Sequence, residues 1–285
     1  MTARWHLLLI GPCLLVFGLT VATQYVFIKE SLFEQLRYGR TGDTLTLSNY
    51  VDFLTDSFYL GVLWTTVKVS ALATFFTLTL TFPLAYVIAR MRSAWSSVLI
   101  AGVVLSTFVT IVIKVYGLRI IFSANGAINQ ALMGLGLIDR PYTIIGTQEG
   151  VVIGLMHFTI GFGVLILYSI VQTIPRNLEF AAQIHGASRA RTFIRVILPL
   201  SLPGLIGAGL MIFNMCMGAF TSAALLGGGR VLTMPVLIQR SVMLESKFAF
   251  SGALALILLI CVILINLLSV FVLSRMAVTK RGVVA

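Results

Sequence analysis

Few residues of this sequence have the types and spacing that catalysis requires. No nucleophile–base pair is recognisable, and no histidine, cysteine and carboxylate residues follow the spacing of a metal site. The glycine run 227–229 lacks the Gly-Lys-Ser/Thr that completes a phosphate-binding loop. Cys13, Cys216 and Cys261 each lie within an apolar run and predict no disulfide framework. These patterns predict that the chain is not an enzyme and binds no metal or cofactor of its own.

Four polar or aromatic residues in or beside apolar runs are candidates for contact with a small solute. They are Tyr116, Glu149, Tyr168 and Asn214. Aromatic faces attract cations, and a carboxylate would do so by its charge. Two of the four have structural alternatives. The helix dipole favours Glu149 in the first turn of a helix, and Asn214 is also suited to joining two helices by a hydrogen bond.

Lys68 and His157 also interrupt apolar runs, and each has two interpretations. A charge in the middle of a membrane helix costs a few kcal/mol, so Lys68 either faces protein or extends towards the headgroups. His157 either relays protons or contacts a solute, or it packs against a neighbouring helix. The positive charge of Lys68 and of Lys114 would repel a cation nearby.

A polar and basic segment, 175–195, predicts two short helices joined by a glycine turn. Pro175 suits the first turn of a helix, and Gly186 suits a chain reversal with a left-handed backbone. Ser188 can cap a second helix that starts at Arg189. A surface helix with small alanines allows another protein to approach closely. The alternative is an amphipathic loop that rests on lipid headgroups.

The composition places these elements in a membrane. Of 285 residues, 59% are hydrophobic and only 10% are charged, whereas a soluble domain has about a quarter charged. The net charge of +11 comes from short basic clusters between apolar runs, as at the ends of membrane helices. Nucleic acid is therefore excluded as a partner, and the lipid bilayer is expected.

Six apolar runs are long enough to span a bilayer, which takes about 20 residues. They cover residues 7–28, 59–89, 98–122, 150–174, 196–226 and 248–273. Lys29 to Phe58 forms a polar connection with mixed charges. Basic residues are denser in the segments that lie inside if the N-terminus is inside, so both termini are predicted to be cytoplasmic.

Residues 179–203 resemble a motif of the inner-membrane permease subunits of ATP-binding-cassette (ABC) importers. That cytoplasmic motif reads Glu-Ala-Ala, three residues, Gly, nine residues, Ile, one residue, Leu-Pro. The matching positions here are Ala181, Ala182, Gly186, Val196, Leu198 and Pro199. Phe180 stands where the family has glutamate, and Glu179 lies one residue earlier, about 100° round the helix. The ion pair that this carboxylate makes is therefore open.

The resemblance implies an ATPase-coupling role for one set of residues in this segment. They are Leu178, Glu179, Ala181, Ala182, Gly186, Ala187 and Arg189. Further stretches resemble the first permease of spermidine/putrescine-type systems. These stretches are residues 47–50, 83–86, 114–118, 125–129, 136–139, 227–229 and 234–238.

The resemblance implies the fold of a type I importer permease (MetI-like), an all-α membrane protein with six transmembrane helices. Its expected parts are an N-terminal helix (1–28), a periplasmic loop (29–58), a core of five helices (59–275) and a cytoplasmic tail (276–285). Its implied partners are a second homologous permease, two copies of a cytoplasmic ATPase that bind the ATP, and a periplasmic binding protein. The expected location is the bacterial inner membrane.

The substrate is left open by the residues themselves. A polyamine path is expected to contain carboxylates or aromatic faces, but the six runs contain almost no acid. Other permeases of this family carry amino-acid-like solutes, opines, phosphonates or iron, and these are alternatives. A stand-alone secondary transporter is a rival from another class, and it would require buried ionisable residues along its path.

Overall fold

The computed structural model describes residues 5–36 and 41–281, without the side chains of 5–9, 41 and 272–281. Arg4 and the last four residues of the predicted tail lie outside the described residues. The helices are α1 (Trp5–Ser31), α2 (Ser48–Thr55), α3 (Ser57–Arg90), α4 (Trp95–Phe108), α5 (Ile111–Ile121), α6 (Ala127–Gly134), α7 (Gln148–Gln172), α8 (Asn177–Ile184), α9 (Arg189–Thr192), α10 (Leu198–Met217), α11 (Thr221–Leu226), α12 (Met234–Met243) and α13 (Phe248–Arg281). A π-helical turn, Phe193–Ile197, joins α9 to α10, and two strands, β1 (Phe33–Gln35) and β2 (Thr41–Leu45), pair antiparallel.

Among the residues that the structure describes, five helices are long and apolar enough to cross a bilayer. They are Ile10–Ser31, Ser57–Arg90, Gln148–Gln172, Arg189–Met217 and Phe248–Phe271. The predicted third span is not one straight helix, because α4 and α5 meet at a bend of 96°. Val109 and Thr110 are extended there. Neither is glycine or proline, and so the local sequence gives no sign of the break.

Helices α3 and α7 run parallel, and this arrangement determines whether α4 and α5 together make one crossing of the membrane. Near one end, Lys68 Nζ donates to Gln148 Oε1 at 2.9 Å. At the other, Arg90 Nη2 donates to the carbonyl oxygen of Ile174 at 2.9 Å. The chain therefore leaves α3 at one end and begins α7 at the opposite end. Between them, α4 and α5 must carry it back across, so the pair counts as one broken span, and the candidate crossings among the described residues number six.

Helix α7 lies at the centre of the packing, and glycines allow its neighbours to approach. A side chain at Gly161 would meet Thr107 of α4, and one at Gly163 would meet Thr77 and Thr81 of α3. Small residues at such contacts are the usual means of close packing between membrane helices, since burial in lipid supplies little driving force. The core below this region consists of Phe82, Ala85, Ala89, Leu167, Val171, Ile174, Ile197 and Ala208.

Two further boundaries differ from those predicted, and one connection contains elements that the sequence did not predict. The fifth span ends at Met217 and not at residue 226, because the chain turns at Gly218 before α11. The polar connection 29–58 contains the β1–β2 pair and α2, and outside this short pair the predicted helical fold is confirmed for the described residues. Helix α13 continues through Arg281, past the predicted start of the tail at residue 276.

The chain forms two compact units, one of residues 1–63 and 234–263 and the other of residues 64–233 and 264–285. In the first unit, Asn49 Nδ2 donates to the carbonyl oxygens of Ser31 and Phe33. Gln35 Oε1 accepts from the backbone N–H groups of Ala249 and Phe250, which belong to the first turn of α13. Amide donors in a first turn lack partners within the helix, so Gln35 caps α13. The residues considered next belong to the second unit.

Candidate coupling surface and pathway residues

The segment between α7 and α10 has the predicted helix, glycine turn and second helix. Gly186 has φ +81°, a left-handed conformation that is easy for glycine and costly for most other residues. Its N–H donates to the carbonyl oxygen of Gln183, and the N–H of Ala187 donates to that of Ala182. Ser188 Oγ then accepts from the N–H of Arg191 at 3.3 Å and caps α9. We call residues 177–197 the coupling segment.

Large apolar side chains of α8 are exposed, beside the polar side chains of Asn177 and Gln183. Leu178, Phe180 and Ile184 are 40%, 49% and 84% exposed. Among the other predicted coupling residues, Ala181, Gly186 and Arg189 are exposed, whereas Ala182 and Ala187 are half-buried. A helix surface with large exposed apolar side chains beside small ones is typical of a binding surface.

Glu179 differs from its neighbours because its side chain points into the protein, where it is only 10% exposed. Its Oε1 lies 2.5 Å from Arg90 Nε, and Tyr86 donates its hydroxyl to Oε2 at 2.8 Å. Phe180 occupies the outward position. The one-residue shift seen in the sequence therefore places a carboxylate inside and an aromatic ring outside. The pairing with Arg90 was missed, because a basic residue at the end of a span is usually a membrane anchor.

The four predicted solute contacts do not form one cluster. Tyr116 is exposed on α5. Tyr168 is half-buried and accepts a hydrogen bond from Gln172 Nε2 at 2.5 Å. Asn214 exchanges two hydrogen bonds with Asn266 of α13, at 3.1 and 3.0 Å. Of the two interpretations of Asn214, the structure shows the one in which it joins two helices.

Glu149 lies at the mouth of a cavity of about 340 Å³ between α3 and α7. Thr147 caps α7 by accepting from the N–H of Gly150 at 3.1 Å, so the cap does not depend on Glu149. Lys68 lines the same cavity and donates to Gln148. The cavity thus presents one carboxylate and one ammonium above an apolar wall.

A larger cleft, of about 730 Å³, opens between α3, α10 and α13. Its walls are apolar, and they include Phe75, Phe82, Leu202, Phe213 and Ile265. The lining offers few polar atoms to orient a charged or hydrogen-bonding solute. Its chemistry suits acyl chains or apolar side chains.

The comparisons with known proteins agree with this architecture. Residues 142–278, which contain the coupling segment, match the family described as binding-protein-dependent transport system inner membrane component. The spermidine/putrescine transport system permease protein PotB of Haemophilus influenzae is 31% identical over 209 residues, covering 73% of each chain. This chain belongs to that transport family.

Two further comparisons concern PotB of Escherichia coli and a solved structure. The Escherichia coli protein is 34% identical over 194 residues, which cover 68% of this chain and 70% of that one. A chain of a bacterial alginate ABC transporter, crystallised with an alginate-bound periplasmic protein, has TM-score 0.77 and 18% identity over 93% of both chains. The ABC importer permease fold is therefore confirmed. The chain is a multi-pass inner-membrane transport subunit and not an enzyme.

Proposed function

We propose that this chain is one of two permease subunits of an ATP-driven importer for polyamines of the spermidine/putrescine type. In this proposal a periplasmic binding protein delivers the solute, and two copies of a cytoplasmic ATPase supply the energy. Binding of ATP closes the ATPase pair and displaces the coupling segment. The two permeases then change which side of the membrane can reach the path between them.

The coupling segment is the observation that carries this proposal. Large apolar side chains of α8 are exposed, and Gly186 and Ser188 fix the turn that follows them. An interfacial loop on lipid would show the same exposed apolar side chains when no lipid is present, so retention of an ATPase is what distinguishes the two. A stand-alone transporter would have no use for such a protruding surface.

The choice of a polyamine rests on the PotB relatives and is supported by Glu149. A carboxylate at the mouth of a cavity raises the local concentration of a cation. Lys68 in the same cavity opposes this effect, although Gln148 occupies one of its three donors. A zwitterionic solute, such as an aminophosphonate, is the second candidate, because it would use the ammonium of Lys68 and the carboxylate of Glu149 together.

The test compares three variants of a tagged chain in cells that carry the whole transporter. Gly186→Val should insert but lose ATPase in mild-detergent extracts and lose spermidine uptake, because a β-branched residue at this φ costs about 1–2 kcal/mol. Gly186→Asn tolerates the left-handed region and should retain both. Gly136→Val introduces the same strain at φ +68° outside the coupling segment and should leave ATPase binding unchanged.

Three results would contradict the proposal. One is an unmodified chain that brings down neither an ATPase nor a second permease. Another is normal transport by Gly186→Val. The third is a transporter that imports other small solutes but neither spermidine nor putrescine, which would remove the substrate while leaving the partners in place.

A further inference from the structure

The coupling segment contains one acidic residue, and that residue is turned away from the surface that a partner would contact. Residues 177–197 include Glu179 as their sole carboxylate. Its side chain is buried, while Leu178 and Phe180 on either side of it are exposed. A residue that binds a partner must be reachable by it. The burial of Glu179 therefore points to a role inside this chain.

Both carboxylate oxygens of Glu179 are bound by the last turns of α3. Arg90 approaches Oε1 and Tyr86 donates to Oε2. Tyr86 and Arg90 are four residues apart, so they lie on one face of α3. The hydrogen bond from Tyr86 to the carboxylate is charge-assisted, a kind about twice as strong as a neutral hydrogen bond, and the contact with Arg90 is an ion pair. In this buried place, removing either charged partner would leave the other uncompensated.

Reciprocal contacts to the backbone join the same two parts of the chain. Arg90 Nη2 donates to the carbonyl oxygen of Ile174, and Arg176 Nη2 donates to that of Ala89 at 3.1 Å. The end of α3 and the turn between α7 and α8 thus each donate one hydrogen bond to the backbone of the other. A shift of α8 along the membrane surface would have to break these contacts or move α3 with it.

The aromatic rings of α3 extend the connection to the second half of the coupling segment. The ring centroid of Phe193, in the π-helical turn, lies 5.0 Å from the ring centroid of Tyr86 and 5.2 Å from that of Phe82. Tyr86 therefore contacts α8 through its hydroxyl and the π-helical turn through its ring. We call Tyr86, Arg90 and Glu179 the latch.

We propose that the latch makes Glu179 a positioning residue, which transmits displacement of the coupling segment to α3 and does not bind the ATPase. This inference rests on the proposed function. Because Glu179 is turned inwards, the exposed formal charges of the segment are those of Arg189, Arg191 and Arg195. The groove that receives this segment is therefore expected to be apolar or acidic, with Phe180 and Ile184 as the inserted side chains.

The experiment separates binding of the ATPase from coupling to it. The whole transporter is purified through a tag on this chain and reconstituted in vesicles with its periplasmic binding protein. Two quantities are measured for each variant: the ATPase retained per permease, and the ratio of spermidine imported to ATP hydrolysed. The variants are Glu179→Gln, Tyr86→Phe and Phe180→Ala, together with the exchanged pair Arg90→Glu and Glu179→Arg.

Glu179→Gln is expected to retain ATPase within twofold of the unmodified chain while its import ratio falls at least tenfold. Tyr86→Phe removes only one hydrogen bond, so the ratio should fall about two- to fivefold. The exchanged pair should recover part of the ratio. Phe180→Ala, the matched change on the exposed face, should instead lose ATPase.

Loss of ATPase by Glu179→Gln with retention by Phe180→Ala would overturn the inference. An unchanged import ratio in Tyr86→Phe would also overturn the inference. Because this variant is the mildest change, it still tests the inference if Glu179→Gln fails to insert. If the unmodified chain retains no ATPase, it is the proposed function that fails and not the latch. The two failures are therefore distinguishable.

Discussion

The cavity between α3 and α7 is lined by two side chains of opposite charge, which a solute entering it would meet. Glu149 and Lys68 both line this cavity, and Lys68 is held by Gln148. The carboxylate of Glu149 is exposed, and α7 is already capped by Thr147. This carboxylate also interacts with its own backbone N–H and with the side chain of Thr147, and because it is exposed, a solute can still reach it.

Glu149→Gln is expected to lower uptake of spermidine and putrescine per inserted molecule, with the larger effect at low external salt. The substitution removes the charge at nearly constant size, and screening between exposed charges is weaker at low ionic strength. Retention of the ATPase should not change. Asp139→Asn is the matched control, since Asp139 is an exposed carboxylate of the connection before α7 that does not line the cavity. Equal rates for Glu149→Gln and the unmodified chain at both salt concentrations would leave Glu149 with only a stabilising effect on α7.

For single residues, type and spacing predicted local backbone structure more reliably than the side chains that each residue contacts. Gly186 and Ser188 were predicted from local backbone requirements, and the structure confirms the turn and the cap. The contacts of Glu179 with Tyr86 and Arg90 join residues about 90 positions apart. Such contacts depend on how α3 and α7 pack, which no local pattern contains.

Small residues allow neighbouring helices to pack closely against each other. Two glycines of α10 form a matched pair with which the stabilisation from this packing can be measured. A side chain at Gly204 would overlap Ile170 of α7, with three of its atoms at 2.7–3.0 Å. One at Gly207, a single turn further along the same helix, would meet nothing within 4 Å. The two positions thus differ in packing and share a helix.

Gly204→Leu is expected to destabilise the isolated chain in detergent by about 1–3 kcal/mol, the usual range for an overpacked core. Gly207→Leu should change the free energy of unfolding by less than about 0.5 kcal/mol, as exposed substitutions generally do. Denaturant unfolding followed by far-UV circular dichroism measures both. Equal destabilisation by the two variants would mean that α7 and α10 do not pack closely at Ile170.

Hydropathy predicted where the long helices lie but not where they break. The runs of α3, α7 and α13 were located to within a few residues at their starts, because apolar composition alone marks a span. The bend at Val109 and Thr110 and the end of α10 at Met217 lie inside equally apolar sequence. Beyond the end of α10 the chain packs back on α7, where Ser222 of α11 donates to the carbonyl oxygen of Gly154, and no apolar pattern encodes such a contact.

For the whole molecule, the parallel arrangement of α3 and α7 constrains topology independently of charge. The end of α3 and the start of the coupling segment lie together, since Arg90 contacts both Ile174 and Glu179. The stretch of chain that leads directly into α3 must therefore lie on the opposite side of the membrane from the coupling segment. The positive-inside rule then has to choose only between two orientations.

Cysteines introduced at Leu45 and Arg240 are expected to react with an impermeant thiol reagent in intact cells, and a cysteine at Ser188 only after permeabilisation. All three positions are exposed, and the native Cys13, Cys216 and Cys261 would first be replaced by serine. The reverse pattern would invert the predicted orientation. Labelling of 45 and 188 from the same side would contradict the fold itself.

The break between α4 and α5 has a consequence for the solvation of the membrane interior. With 14 and 11 residues, the two helices are about 21 and 16 Å long, and each is shorter than the roughly 30 Å of hydrocarbon. A helix leaves the amides of its first turn and the carbonyls of its last without internal partners, and lipid tails cannot supply any. The Thr110 carbonyl accepts from the N–H of Lys114 at 3.2 Å. Any other backbone group at this break that faces lipid needs a partner from water, from a neighbouring subunit or from polar groups of this chain.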